Sequence, residues 1–428
     1  MLSVHAARQR KRKRDADTPR IGLAIAGGGP IGGMYELGAL RALDEALDGF
    51  DPTRLDCYVG VSSGAFLAAG LVNGISTAEM CRIFITGDSD DVRFRPQVFL
   101  RPAVFEYLRR ASALPRLTFE WWRGLLLGPA DSRWSDVLTR FGGLVPTGLF
   151  DNSGIEAFLR EIFTRRGRSN DFRQLRARLT VVAVDLDNGE AVAFGGEGWE
   201  DVPISQAVQA SAALPGLYPP VEIVDKCGRA RQFVDGALRR TLHASVLLDE
   251  GIDLLLGVNP LVPFDARKVP PGAPADGGRR LAEGGLPAVL SQTFRTLLQS
   301  RMQVGLTRYA QQYPDVDQLV FEPNASDGEL FFANAFSFGA RRRICQLAYR
   351  NTLDDLSRRR EELRPLLAAH GIALREAVLD DPQRTVLTGL QAPPPRSTET
   401  TARLRRALDD TRHLVDARRR QRRTRARR

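Results

Sequence analysis

Cysteine and histidine are both scarce, at four of each in 428 residues, and neither clusters. Cys57, Cys81, Cys227 and Cys345 form no CxxC pair and have no histidine beside them. This argues against a zinc site and a disulfide framework, and points to a reducing compartment. No run of about eighteen apolar residues occurs, so no membrane-spanning helix is expected. The basic N-terminus is not followed by an apolar stretch, which argues against a secretory signal. There is also no internal repeat. What remains is a cytoplasmic chain whose membrane contact would be peripheral, at the inner face.

Hydrophobic residues make up 43%, ample for a core at this length. The charge sits at the ends. Residues 1–20 carry seven Lys or Arg against two Asp, and residues 401–428 carry twelve Arg against three Asp. Residues 21–400 hold 42 basic and 46 acidic side chains, so the +10 of the whole chain belongs to two tails. Such tails suit an anionic surface.

Along the chain, Ile21–Ala26 reads as a buried parallel strand that ends in Gly27-Gly28-Gly29-Pro30. A helix follows, with Leu37, Leu40, Leu43 and Leu47 three or four apart. A second strand near Leu55–Val59 runs into Gly60-Val61-Ser62-Ser63-Gly64 and a helix of small residues. Strand, glycine turn, helix, strand, tight turn, helix is the grammar of a parallel α/β sheet. Residues 92–150, with Trp121, Trp122 and Trp134 among many Phe and Arg, read as an insertion or cap. Further strands are expected near 179–184, 232–234, 253–258 and 318–321, and a short helix at 205–213. The organisation expected is a basic arm over 1–20, a catalytic domain over 21–260 and a Pro/Gly-rich linker over 261–285. A mainly helical region over 286–400 and an Arg-rich tail over 401–428 complete it.

Three elements bear on chemistry. The first is the Gly27–Gly33 loop between strand and helix, where glycines let backbone N–H groups face a phosphate or an oxyanion. Pro30 offers no N–H, so any donors come from the glycines. Gly27-x-Gly29-x-x-Gly32 also fits a dinucleotide-binding fingerprint. That reading requires an acidic ribose anchor at the end of the second strand, where Gly60-Val61-Ser62-Ser63-Gly64 stands instead. The second element is this G-x-S-x-G turn, which places a serine hydroxyl on a sharp elbow before a helix. The third is the proton acceptor such a serine needs. His5 and His413 lie in the tails, while His243 and His370 read as satisfied structural side chains. Asp235-Gly236-Ala237 follows a strand and could supply a carboxylate base if burial raises its pKa.

Taken together, Gly27–Gly32, Gly60–Gly64 and Asp235–Ala237 resemble the three blocks of the patatin-like phospholipases. Ser211-Ala212-Ala213-Leu214-Pro215, with Tyr218-Pro219-Pro220-Val221, is similar to the family segment that precedes the Asp-Gly pair. The resemblance covers about residues 21–260. It implies a three-layer α/β/α sandwich with a mainly parallel central sheet, here with a helical C-terminal extension. It implies hydrolysis of lipid acyl esters by a Ser–Asp dyad without histidine, cofactor or metal. Ser62 takes the nucleophile's role and Asp235 the base's, with Gly27, Gly28 and Gly29 lining the oxyanion hole. Gly32, Gly60, Gly64 and Gly236 fill the remaining motif positions. Two departures stand out: Ile31 occupies a position where the family commonly has Arg or Lys, and which residue of Leu238-Arg239-Arg240-Thr241 answers to the polar residue often found after the Asp-Gly block is not evident. Phospholipid and neutral ester therefore both stay open as substrates. A histidine triad through His243 or His370, or an inactive lipid-binding scaffold, are the alternatives. With a lipid ester as substrate, the basic tails are read as contacts to an anionic membrane surface rather than to nucleic acid.

Overall fold

The computed structural model describes residues 1–8, 18–89, 147–268, 281–328 and 338–390, with scattered positions at 91–103, at Leu330 and at 403–411. Most of the 92–150 insertion, much of the 261–285 segment and nearly all of the 401–428 tail lie outside these residues.

The strands of the main sheet are β1 (Leu2–His5), β2 (Ile21–Ile25), β4 (Cys57–Val61), β5 (Arg178–Asp185) and β6 (Ala191–Phe194), then β7 (Val221–Val224), β8 (Ala230–Asp235), β9 (Leu254–Val258) and β10 (Asp317–Phe321). Two short strands, β3 (Leu47–Asp48) and β11 (Ala373–Leu374), pair with each other apart from it. The helices are α1 (Gly29–Ala46), α2 (Ser63–Val72), α3 (Thr77–Cys81), α4 (Ser153–Phe163) and α5 (Ile204–Ser211) in the first half of the chain. In the second half they are α6 (Ser245–Asp249), α7 (Gly285–Gln312), α8 (Phe338–Arg358), α9 (Arg360–Ala368) and α10 (Glu376–Leu379).

The sheet order is β1-β10-β9-β2-β4-β5-β8-β7, with β6 also on β5. The run from β10 to β5 is parallel throughout, while β1, β6, β7 and β8 pair antiparallel. Side chains alternate across it as strand geometry requires. Leu23, Ile25, Tyr58, Leu254, Leu256 and Phe321 join the larger core beneath α1, α2 and α8. Ala24, Ala26, Val59, Val61, Leu255 and Val320 face the opposite layer, with Leu247, Met302 and Leu306 from α6 and α7. Three layers result, as the fold reading expects.

The start of the chain departs from that reading. Residues 1–20 are not only a charged arm: Leu2 to His5 pair with Phe321 to Gln318 as an edge strand. The C-terminal region, mainly helical, is packed into the same body: β10 is a member of the parallel sheet and α8 packs along α1. A buried ionic cluster fastens this contact. Glu45 on α1 pairs with Arg41, accepts the Tyr349 hydroxyl of α8 at 2.5 Å and pairs with Arg384 at 2.7 Å. The pairing partner of β1 lies more than 300 residues away, so no local pattern announces it.

The α1–α8 crossing relies on Gly38, where a Cβ would stand 2.2 Å from the Cys345 carbonyl oxygen and 2.9 Å from the Ala348 methyl. Gly38→Val should therefore lower stability by about 3 kcal/mol in urea unfolding, since backbone must move to admit it. Gly305→Ala on α7 meets nothing nearer than 4.0 Å and should instead stabilise by about 0.5–1 kcal/mol.

Candidate active site

The register along β5 brings two distant segments together. β6 holds one edge of β5 over Val181–Val184, so β4 and β8 must share the other edge end to end. β4 runs parallel and its last pair is Val61 with Val182; β8 runs antiparallel and its last pair is Asp235 with Ala183. The two strands thus meet head to head. The residue leaving β4 is Ser62, and the residue closing β8 is Asp235. The Ser62 side chain lies beside the Asp235 carboxylate, close enough to draw its pKa down; the two line one cavity and both are buried.

Ser62 has φ +51° and ψ −119°, a left-handed conformation that a side-chain-bearing residue adopts at a cost of about 1–3 kcal/mol. The surrounding small residues are needed for this turn: a Cβ at Gly60 would lie 2.4 Å from the Ala65 Cα, and one at Gly64 would lie 2.3 Å from the Ala26 oxygen. Ser211 holds the elbow in place. Its Oγ accepts the Ser62 amide at 2.8 Å and donates to the Val182 carbonyl at 2.6 Å. Two residues on, the Ala213 carbonyl accepts the Asp235 amide at 3.0 Å. One short segment thereby ties both ends of the pair to β5.

Asp235 Oδ1 also accepts the Ala237 amide at 2.8 Å. Burial nevertheless pushes its carboxyl up to about 6, outweighing the Ser62 hydroxyl and the Ala237 amide, which pull it down. At neutral pH the carboxylate predominates, and it is a far better proton acceptor than an ordinary exposed aspartate.

The glycine loop lies against this pair. Gly27 is wedged so closely that a Cβ there would approach the Ser62 Cβ at 3.0 Å and the Ala237 Cβ at 3.3 Å. Gly29, at φ +62°, opens α1 and lines the cavity with Ser62 and Asp235. Gly28 is engaged elsewhere, donating its amide to Ser63 Oγ at 3.0 Å. Ser63 Oγ is in turn 3.1 Å from Oε1 of Glu36, a fully buried side chain whose carboxyl burial holds well above the usual carboxylate range. Glu36, beneath Ser63, thus fixes the loop through that hydroxyl. The first turns of α1 and α2 both begin here, adding partial positive charge where an anion would sit.

The cavity beside Ser62 measures about 150 Å³ and is walled mainly by apolar groups, including Met34, Phe66, Phe84, Leu217 and Tyr218. Phe94 and Phe99, at the start of the aromatic-rich insertion, line it too and stack edge-on with Phe158. Among the described residues one cation lines it, Arg341 from α8, which donates to the Phe84 carbonyl at 3.2 Å and lies over the Phe94 ring. Reading by sequence missed Ser211 as a clamp, Glu36 and Arg341, because each acts across a contact that only the fold creates.

The histidines stand apart. His243 is buried with its Nε2 3.4 Å from the Gly236 carbonyl, and desolvation lowers its pKa to about 4, so it is neutral. His370 Nε2 bonds Asp317 Oδ2 at 2.7 Å. Neither lines the cavity. Among the described residues no three His, Cys, Asp or Glu side chains are grouped to hold a metal ion.

No curated protein matches the chain. Among solved structures it is similar to VipD from Legionella pneumophila, at 18% identity over 62% of this chain and 55% of that one, with TM-score 0.29. Human GIVD cytosolic phospholipase A2, bound to methyl gamma-linolenyl fluorophosphonate, matches at 12% identity over 84% and 61%, with TM-score 0.35. Full-length ExoU in complex with SpcU, from the type III secretion system of Pseudomonas aeruginosa, matches at 16% over 74% and 60%, with TM-score 0.27. The chain spans less than two thirds of the length of each. The profile of the patatin-like phospholipases matches residues 23–248, more than half of the sequence and the whole stretch from β2 to α6, and so the chain belongs to the patatin-like phospholipase family.

Proposed function

We propose that this protein hydrolyses carboxylic esters of lipids, with Ser62 as nucleophile and Asp235 as general base. The observation that carries the reading is the juxtaposition, in the wall of one apolar cavity, of a strained, elbow-borne hydroxyl and a buried carboxylate. A serine needs a proton acceptor beside it, and Asp235 is the carboxylate that lines the cavity with it. The cavity walls of Phe, Leu and Met suit an acyl chain.

In the cycle we infer, Asp235 takes the Ser62 proton as Oγ attacks the ester carbonyl. The developing oxyanion is held by amides of the Gly27–Gly29 loop, each such donor contributing about 3–4 kcal/mol to lowering the barrier. Gly29 faces the cavity directly, while Gly28 becomes available only when Ser63 Oγ turns aside. The alcohol leaves with the proton from Asp235. Water, deprotonated by the same carboxylate, then releases the fatty acid from the acyl-serine. Arg341 in the wall gives this site a cation that Ile31 does not supply, which favours an anionic head group near the scissile ester.

Ser62→Ala and Asp235→Asn should each reduce lipid-ester hydrolysis at least about a thousandfold while the protein stays folded. Ser62→Ala should also abolish covalent labelling by a fluorophosphonate. A folded Ser62→Ala protein with undiminished hydrolysis or labelling would remove the assignment.

The pH dependence follows from Asp235. As base it must be ionised, so kcat/KM should fall about tenfold per unit below pH 6 and level off above it. For stability the sign is opposite to that of an ordinary salt-bridged aspartate. The folded carboxyl keeps its proton up to about 6 while the unfolded one loses it near 3.8, so stability drops as pH rises between them. Asp235→Asn should therefore raise stability at pH 7 by up to about 3 kcal/mol, with the gain vanishing below pH 4. Thermal melts of both proteins across that range check it.

A further inference from the structure

Helix α7 is turned inside out along its first half. A surface helix normally buries its apolar stripe and shows water its polar side. Here the polar side faces the protein: Gln292 brackets the backbone of Phe264 at 3.1 and 2.8 Å, Arg295 donates to the Val262 carbonyl at 3.2 Å, and Gln299 reaches Glu322 at 3.3 Å. Leu286, Val289, Leu290, Phe294 and Leu297 point the other way, with Leu286 70% and Leu297 57% exposed. Val304, 69% exposed, continues the same stripe. Only the later turns, through Met302, Leu306 and Tyr309, bury apolar side chains in the core.

Charge completes the pattern. The 28 residues of α7 contain three arginines and no acidic residue, and the nearest acidic group in sequence is Glu283 just before it. At 100° per residue, Arg301 and Arg308 fall on the same outward stripe as Leu290, Leu297 and Val304. Arg301 donates to the Leu238 carbonyl at 3.2 Å, which places it beside the exposed Arg239 and Arg240 and three residues beyond Asp235. The inward contacts of Gln299 are to Glu322, just past β10, and at 3.4 Å to Asn259, just past β9. The exposed stripe therefore stands at the sheet end where Ser62 emerges.

We propose that the outward face of α7 is a docking surface for an anionic lipid bilayer, with its leucines and Phe294 entering the acyl boundary and Arg240, Arg301 and Arg308 meeting lipid phosphates. An apolar stripe bordered by cations, on a helix with no carboxylate of its own, matches such a surface in both terms. The choice of lipid over a protein partner rests on the proposed lipid-ester activity, because the same sheet end would then have to meet its substrate in a membrane. This assigns membrane contact to a folded helix rather than to the basic tails.

The test uses the full chain and vesicles of phosphatidylglycerol and phosphatidylcholine. The Leu290→Asp/Leu297→Asp variant, altered only at exposed positions, should sediment with vesicles about tenfold or more less than wild type. Its hydrolysis of a short, soluble ester should be unchanged. Arg240→Gln/Arg308→Gln should weaken binding roughly fivefold per charge at low salt and flatten its salt dependence. Vesicle binding equal to wild type in the leucine variant would overturn the proposal and return the role to the tails. So would a wild-type dimer that the leucine variant splits without loss of lipid binding, since a second copy would then cover the face. Failure of wild type to cleave the soluble ester would instead count against the hydrolase reading, and leaves the sedimentation result to stand by itself.

Discussion

The candidate site depends on a shared edge: β4 and β8 meet end to end along β5, so that a serine leaving one strand faces an aspartate closing the other. Neither residue could find the other through local structure, because 172 positions separate Ser62 from Asp235. The backbone ladder of β5 fixes their separation, and Ser211 locks it by joining the Ser62 amide to the Val182 carbonyl. Remove that register and the hydroxyl and carboxylate are two buried polar groups with no reason to be adjacent.

Several of the surrounding features are unfavourable in themselves and make sense only as support for this pair. Ser62 occupies a left-handed conformation, Asp235 is a buried carboxylate, and Glu36 is a second buried carboxyl, beneath Ser63. The layers around them are conventional by comparison. Alternating apolar strands, a leucine-lined α1 and the close α1–α8 contact at Gly38 supply a packed core that tolerates strain at one end of the sheet.

What the sequence revealed, and what it hid, divides by distance along the chain. The glycine loop and the elbow were legible because strand, turn and helix follow one another within about forty residues, each with its own turn chemistry. Asp235 was not legible by itself, since Asp-Gly is an ordinary turn; only its company in the family pattern pointed to it. Reading His243 and His370 as structural agrees with their bonds to the Gly236 carbonyl and to Asp317. The edge strand β1, the sheet membership of β10 and the cavity cation Arg341 were invisible. Each depends on pairing or packing with residues from about sixty to more than three hundred positions away, which periodicity does not encode. The inverted face of α7 escaped notice for a related reason: its apolar residues repeat as in any helix, and only the fold shows that they point outward.

The central claim is that Ser62 and Asp235 act as one unit. A double-mutant cycle on kcat/KM for a lipid ester addresses it most directly, comparing Ser62→Ala, Asp235→Asn and the two combined. If they form a dyad, the double variant will be no slower than the slower single variant, because either change already removes the unit. Losses that simply multiply would show that the two side chains contribute separately, and would contradict the account.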